Sequence, residues 1–522
     1  SYTLLATNTT PLPTADDFAA DKTTTGSVVV GREGAGMINF VGDRDWFRVA
    51  LIAGRTYRFD LIGTSLSDPN LNLYDLSGSN LLESNDNFSP GLDSRITYTA
   101  ATSDTYHLDV GAAGSLSGAY TLRVTDITSS SDLISGVADT SIRNSINTAL
   151  TDLVFSHQEL SALLRSVGVN GVTSQELTDL RVVSHQLSSY LSATSRSYLQ
   201  YIYSAVVNGN PANQWWTGGA STRTSLGDLE PGSTELTMNR LVDKWFGGID
   251  RPTNFIQGDG ASGASSLAFS YGQMSGSLFV NDVSFSDINQ GRAGTCYFLS
   301  ACSTLANSQS GLIKEMFRDN GDGTYGVRFF GSLGNELWVT VDRSVPVLSN
   351  GSLVLAGNTF RSLSGEMWVS LAEKAYAQAN EIGAFGRSSQ GNSYSFIEGG
   401  WENSLQHISN SNTTTYSAYY SSSRWTSTAS NSLTTWNSYV NTVIAAINSG
   451  RSLWLASFGD TYDGSGKRKL VSRHAFAVIG YNANNGLFRI SNPWGAGSSD
   501  YAGVFETSWL DLFNARAVIS WV

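Results

Sequence analysis

The chain has 522 residues, 41% of them hydrophobic and 11% aromatic, which excludes a disordered protein and suggests two to four domains with ample core. Its formal net charge of −12 excludes nucleic acid and anionic membrane as the main partners, because both require basic surface. No apolar run reaches the length of a membrane span, and a Gly-, Ser-, Thr- and Asn-rich composition suits an extracellular, secreted bacterial protein. No signal peptide stands at Ser1, so a secreted chain would have lost its leader.

Residues 1–130 read as a β-sandwich. Short runs with period-two alternation follow one another: SVVVG, DWFRVAL, TYRFDLIG, LNLYDLSG, SRITYTA, TYHLDVGA and AYTLRVTD. Gly, Asn, Asp and Ser separate them. The phrases GDRDWFRVALIAGRTYRFDL, DPNLNLYD, NDN, LDSR and GAYTLRV resemble the bacterial pre-peptidase C-terminal domain, a jelly-roll-like accessory module of secreted proteases. Here it precedes the candidate protease instead of following it. The acidic pairs Asp43/Asp45, Asp68/Asp75 and Asp86/Asp93 suit calcium, a hard cation that takes oxygen ligands. They suit turns at strand ends equally well. Asp68, Asp86 and Asp93 are the metal candidates of this module.

Residues 131–253 read as a helical linker or prosegment-like domain, and from about Ser131 to Asn208 the apolar spacing predicts three or four helices. Ser156-x-x-Glu159 and Thr173-x-x-Glu176 read as capping boxes that open two of them. VGVNGVTSQEL has the rhythm of an EF-hand loop but lacks its alternating acids, so calcium is rejected there. LVDKWFGG reads as a short helix or turn. The segment serves either as a spacer or as a prosegment over a neighbouring cleft.

From Phe269 onward helix-like and strand-like runs alternate, predicting an α+β fold. Both cysteines of the chain lie in DINQGRAGTCYFLSACSTLA. Six residues apart on one helix, Cys296 and Cys302 would stand about 9 Å apart, beyond the reach of a disulfide. Cys296 follows Gly291 and Gly294 and opens the predicted helix, where the dipole and N–H groups favour a thiolate. Gln290 offers an amide N–H for an oxyanion hole, together with the backbone N–H of Cys296. Of the five histidines, His474 opens the alternating strand HAFAVIGYN, while His407 sits in a Ser/Asn-rich stretch that reads as surface. A hairpin to GLFRISNPWG brings Asn492 beside His474, with Trp494 to shield the pair from water. Cys, His and Asn in this order form a nucleophile, a base and an orienting group.

QGRAGTCYFLSA resembles the active-site stretch of the calpains, which are papain-like cysteine proteases. LFVND, LWVTVDRSVPV, EMWVSLAEKAYAQA, SFIEGG, HAFAVIGY and RISNPWG follow the calpain order, from about Leu278 to Val522. The resemblance implies a two-lobed papain-like core, with residues 254–397 as the cysteine lobe and 398–522 as the His/Asn lobe. It implies Cys296 as nucleophile, His474 as general base and then acid, Asn492 as orienter, Gln290 in the oxyanion hole and Trp494 over the asparagine. It also implies Ca²⁺, with Asp287 and Glu373 matching first-lobe ligands. The second-lobe loop is shortened and leaves only Asp500 and Glu506, so a single site and a core aligned without calcium are both open. The expected activity is that of a secreted, calcium-dependent, self-processing cysteine endopeptidase acting on proteins or peptides. The alternative is an adhesion protein that works through the β-sandwich and carries a silent or only autoproteolytic domain. A transglutaminase-type reaction shares Cys and His but typically uses Asp as the third member, so Asn492 favours the protease.

Overall fold

A computed structural model describes residues 16–88, 91–127, 133–134, 136–150, 154–192, 194–257, 266–358, 361–401, 403–418, 432–497 and 499–522. The chain divides into two compact units: Ser1–Glu159 with Thr178–Ser197, and Leu160–Leu177 with Tyr198–Val522.

The first unit is built on eight strands: β1 (Glu33–Ile38), β2 (Asp45–Leu51), β3 (Thr56–Gly63), β4 (Pro69–Tyr74), β5 (Leu81–Asn85), β6 (Ser94–Thr99), β7 (Asp104–Ala112) and β8 (Gly118–Asp126). They pair antiparallel in two four-stranded sheets, ordered β1-β8-β3-β6 and β2-β7-β4-β5. Alternate side chains such as Phe47, Val49, Phe59, Leu61, Leu108 and Leu122 meet in one core. Each expected run from Asp45 onward contributes a strand, with two differences elsewhere. Ser27–Gly31 is not a strand and meets β2 through a single bridge, Ser27 to Arg48. β1 and β5 were not legible, because EGAGMI is glycine-rich and LLESN is largely exposed. Gly36 in β1 has a packing reason: a Cβ there would lie 2.3 Å from the Tyr120 hydroxyl.

Two of the helices that follow begin where the capping boxes predicted. α1 (Thr140–Ala149) is capped by the Asp139 side chain. In α2 (His157–Gly168) Glu159 N–H donates to Ser156 Oγ at 3.2 Å, and Ser156 N–H donates to Glu159 Oε2 at 2.8 Å. α3 (Ser174–Gln186) repeats this reciprocity between Thr173 and Glu176. α4 (Arg196–Val207) and α5 (Glu235–Trp245) follow. The expected helical domain at 131–253 is not a unit of its own, since 160–177 and 198–253 fall with the C-terminal half. The reason is side-chain burial. Tyr198 Oη lies 2.8 Å from Thr340 Oγ1, and Lys244 Nζ donates to Asp250 at 2.5 Å and Glu381 at 2.6 Å.

The rest of the second unit surrounds two groups of buried side chains. The first is packed around α6 (Cys296–Ser308), α7 (Trp368–Ala379) and the antiparallel strands β9 (Phe317–Asp319), β10 (Thr324–Phe330) and β11 (Glu336–Asp342). α6 is buried nearly all round, as its uniformly apolar sequence requires. The second group, with Trp436 stacked on Trp509 at 4.3 Å, lies against a six-stranded antiparallel sheet. Its strands are β12 (Thr414–Ser417), β13 (Leu453–Ser457), β14 (His474–Asn482), β15 (Leu487–Ser491), β16 (Val504–Thr507) and β17 (Val518–Trp521), ordered β12-β17-β13-β14-β15-β16. No described helix is long and apolar enough to cross a membrane.

Candidate active site

The approach to α6 is made of close backbone contacts. A Cβ on Gly291 would lie 2.3 Å from the Val354 carbonyl oxygen, so only glycine passes. Gly294 N–H donates to Glu398 Oε1 at 3.1 Å, and its carbonyl accepts from Gly399 N–H at 2.8 Å. Thr295 occupies the N-cap position, yet its hydroxyl does not cap the helix. It donates instead to Glu373 Oε1, while Glu373 Oε2 accepts from Ala356 N–H at 2.8 Å. The positive end of α6 is thus left without a side-chain cap, at Cys296. Cys302 lies on the same helix with its thiol pushed far up by burial, so the two free cysteines are chemically unlike.

On the other side, the hairpin of β14 and β15 delivers His474 and Asn492, as the sequence predicted. His474 Nε2 lies 2.9 Å from Asn492 Oδ1. That oxygen also accepts the backbone N–H of Trp494 at 3.1 Å, and Asn492 Nδ2 donates to the Ala502 carbonyl at 3.3 Å. These two bonds assign the amide, because a backbone N–H needs an acceptor and a carbonyl needs a donor. Nε2 of His474 must therefore carry the proton, which leaves Nδ1 as the basic nitrogen. Burial pushes the His474 pKa down to about 4, opposed by the bond to Asn492 and reinforced by the Arg468 charge. The Trp494 ring lies 4.3 Å from the imidazole, and Phe476 meets it edge-on at 4.7 Å. Trp494 therefore covers the histidine and, through its backbone, holds the asparagine.

Cys296 and His474 line one cavity of about 690 Å³, with Tyr297, Gly399, Gly400, Trp401 and Phe458 among its walls. None of residues 198–253 lines it. Gln290 does not line it either. Its Nε2 donates to the Ala293 carbonyl at 2.7 Å and its Oε1 is buried without a hydrogen-bond partner among the described residues. The amide therefore supports the turn before Cys296 in this conformation.

The expected metal ligands are employed otherwise. Asp287 Oδ2 accepts from Ser284 N–H at 2.7 Å and from Trp368 Nε1 at 3.2 Å. Glu373 is fully buried with each oxygen bonded to protein, and the Arg361 guanidinium acts on it as a neighbouring cation. These two residues do not fit a calcium ion as they stand. Glu506 accepts from Asn482 at 3.2 Å and Asn485 at 2.8 Å, and Asp500 accepts from Ser499 at 3.0 Å. In the β-sandwich Asp68, Asp86 and Asp93 form no ligand group among the described residues, and Asp93 Oδ1 accepts from Gly63 N–H at 3.0 Å. The set that converges there is Asp16, Asp17 and Asp45, with ligand oxygens within 4.8 Å of one another. Asp45 is buried and its Oδ1 has no hydrogen-bond partner among the described residues.

His407 is a further correction. It is buried, 2.8 Å from the Tyr376 hydroxyl, and stacks on Phe385 at 4.4 Å, because its polar flanks hide an amphipathic turn. The sequence reading also missed Arg387. This side chain donates to the carbonyls of Phe396, Glu398 and Gly399 and to the Tyr297 hydroxyl, holding the loop opposite Cys296. Its flanks GAFGRSSQG carry no periodic signal.

Residues 265–512 match the family described as calpain family cysteine protease. The chain is 32% identical over 164 residues to the calpain-type cysteine protease DEK1 of Arabidopsis thaliana, covering 31% of this chain and 6% of that protein. It is 32% identical over 111 residues to calpain-5 of Mus musculus, covering 19% of this chain and 17% of that protein. The chain thus spans only a small part of the length of these relatives. The pre-peptidase C-terminal domain of a collagenase from Bacillus anthracis aligns at 16% identity, covering 19% of this chain and 92% of that one, with a TM-score of 0.17. The C-terminal half of the chain carries a calpain-type cysteine protease domain, in keeping with the motifs from Gln290 to Asn492.

Proposed function

We propose that this protein is a cysteine endopeptidase that cleaves proteins or peptides with Cys296, His474 and Asn492 in a papain-like, two-lobed core. The observation that carries the reading is the bond network at Asn492, which leaves Nδ1 as the basic nitrogen of His474, a residue that lines one cavity with Cys296. Nδ1 takes the proton from Cys296 Sγ as sulfur bonds to the scissile carbonyl carbon. The oxyanion is held by backbone N–H at the start of α6. The imidazolium then gives its proton to the leaving amine, the C–N bond breaks, and a thioester remains. Water, deprotonated by His474, hydrolyses the thioester and restores the thiol. Asn492 keeps the ring in the productive tautomer throughout.

Secretion from a bacterium remains part of the proposal, supported by the composition alone. Calcium belongs to the β-sandwich in this reading, at Asp16, Asp17 and Asp45, whose all-oxygen donor set and unpartnered buried oxygen suit a hard cation. No step of the hydrolysis is routed through it.

The test is intact mass after exposure to a thiol-directed epoxide, with and without Ca²⁺. One adduct on Cys296, absent in Cys296→Ala, is the expected result in both conditions. Labelling of Cys302 instead, or of neither cysteine in a folded chain, overturns the protease reading and turns attention to the β-sandwich as a binding module.

A further inference from the structure

The walls of the catalytic cavity carry a charge pattern that points to a substrate class. Among the described residues lining it there is no Asp or Glu, although the chain as a whole has a net charge of −12. Two arginines line it, Arg387 and Arg473. Arg387 is consumed by structure, since its donors go to three backbone carbonyls and a tyrosine hydroxyl. Arg473 is the opposite case. It is exposed, and among the described residues its guanidinium has neither a side-chain hydrogen bond nor an ion pair.

Its position is set by the backbone. Arg473 N–H donates to the Ser457 carbonyl at 2.8 Å, just before β14 begins, and its φ is +60°. That left-handed conformation favours glycine, so the backbone geometry does not explain an arginine there. The residue directly precedes His474, which places the guanidinium within a side chain's reach of the bond being cut. Trp401 and Phe458, stacked at 5.6 Å, add an apolar wall to the same cavity.

We infer that Arg473 is a specificity-determining residue that selects peptides with a carboxylate side chain next to the scissile bond. This rests on the protease reading above. A guanidinium pairs with a carboxylate through two parallel N–H donors, and with no acidic partner among the described residues of the cavity wall those donors are left to the substrate. The apolar wall accepts a neighbouring hydrophobic residue of the same peptide.

The experiment uses the full chain and internally quenched octapeptides built on one leucine-containing frame. Glu, Gln or Lys is placed in turn at each position flanking the cut. At one of these positions the wild type is expected to prefer Glu over Gln by about fivefold in kcat/KM, with Lys poorest, and high salt is expected to shrink the ratio. Arg473→Lys keeps the order and Arg473→Glu inverts it. Arg473→Gly relaxes the backbone instead of straining it, so it folds, and it brings the Glu-to-Gln ratio to one. Cleavage by the wild type with a ratio near one at every position overturns this inference and leaves the protease reading intact. The same holds if Arg473→Glu leaves the ratio unchanged. Failure to cleave any peptide, with no epoxide adduct on Cys296, overturns both.

Discussion

The two sides of the cleft hold their reactive groups by opposite means. On the cysteine side the work is done by ionisable side chains: buried Glu373 grips Thr295, half-buried Arg387 grips the loop at Gly399, and Lys374 is buried against Asp342. On the histidine side the direct holders are neutral, namely one amide, one backbone N–H and two aromatic rings. The difference follows from what each side must keep constant. The nucleophile needs a fixed backbone at a helix end, and buried ionic contacts give a rigid frame that is costly to break. The base needs a fixed tautomer and a tunable proton affinity, and a carboxylate in place of Asn492 would raise that affinity.

The comparison can be broken first at the reacting atoms. Cys296→Ala and His474→Ala are each expected to lower kcat/KM by about 10³-fold or more with the melting temperature nearly unchanged, because each removes an obligatory chemical step. Substantial turnover by Cys296→Ala would dismiss the mechanism. Asn492→Ala comes next, with a loss of about 100-fold, smaller than that of His474→Ala, because it orients the ring and moves no proton. The reverse ranking argues against the assigned roles.

Glu373→Ala probes the charged side. It leaves the Thr295 hydroxyl and Ala356 N–H unpaired in the interior, so a loss of about 3 kcal/mol in chemical denaturation is expected, with activity falling alongside. If Glu373 were a calcium ligand, the loss would appear only with calcium present.

The pH response sharpens the neutral side. Burial lowers the His474 pKa to about 4, below the ordinary 6.5 it regains on unfolding. Between these values the unfolded chain binds the extra proton. The stability contribution is therefore full above pH 6.5 and is lost as pH falls toward 4. Trp494→Ala admits water to the ring, and the acid limb of kcat/KM is expected to move upward toward 6.5. An unmoved limb would mean that another group sets it. The smallest effect is calcium. It is expected to raise the melting temperature of the β-sandwich by a few degrees, with the shift lost in Asp45→Asn, while the rate of epoxide labelling stays the same.

Much of the site was legible because its chemistry is local. A glycine turn, a cysteine at a helix start, a histidine at a strand start and an asparagine one hairpin later stand in fixed sequence relations, and backbone periodicity turns these into positions. The capping boxes at Ser156 and Thr173 were legible for the same reason: donor and acceptor are three residues apart. What escaped were groups whose partners are distant in sequence. Glu373 bonds Thr295 across 78 residues, and Arg473 stands out only because none of the described residues lining the cavity around it is acidic. Asp16 and Asp17 meet Asp45 through the sandwich fold, whereas Asp68, Asp86 and Asp93, which looked alike on paper, do not meet.

The sequence by itself determined the calpain resemblance and singled out the candidate Cys-His-Asn set, since spacing along one chain is enough to specify each. Only the tertiary structure decided which nitrogen of His474 is basic, which carboxylates come together and which cavity arginine has no side-chain partner among the described residues. Those depend on whether each polar group already has a partner, and burial by remote segments settles that.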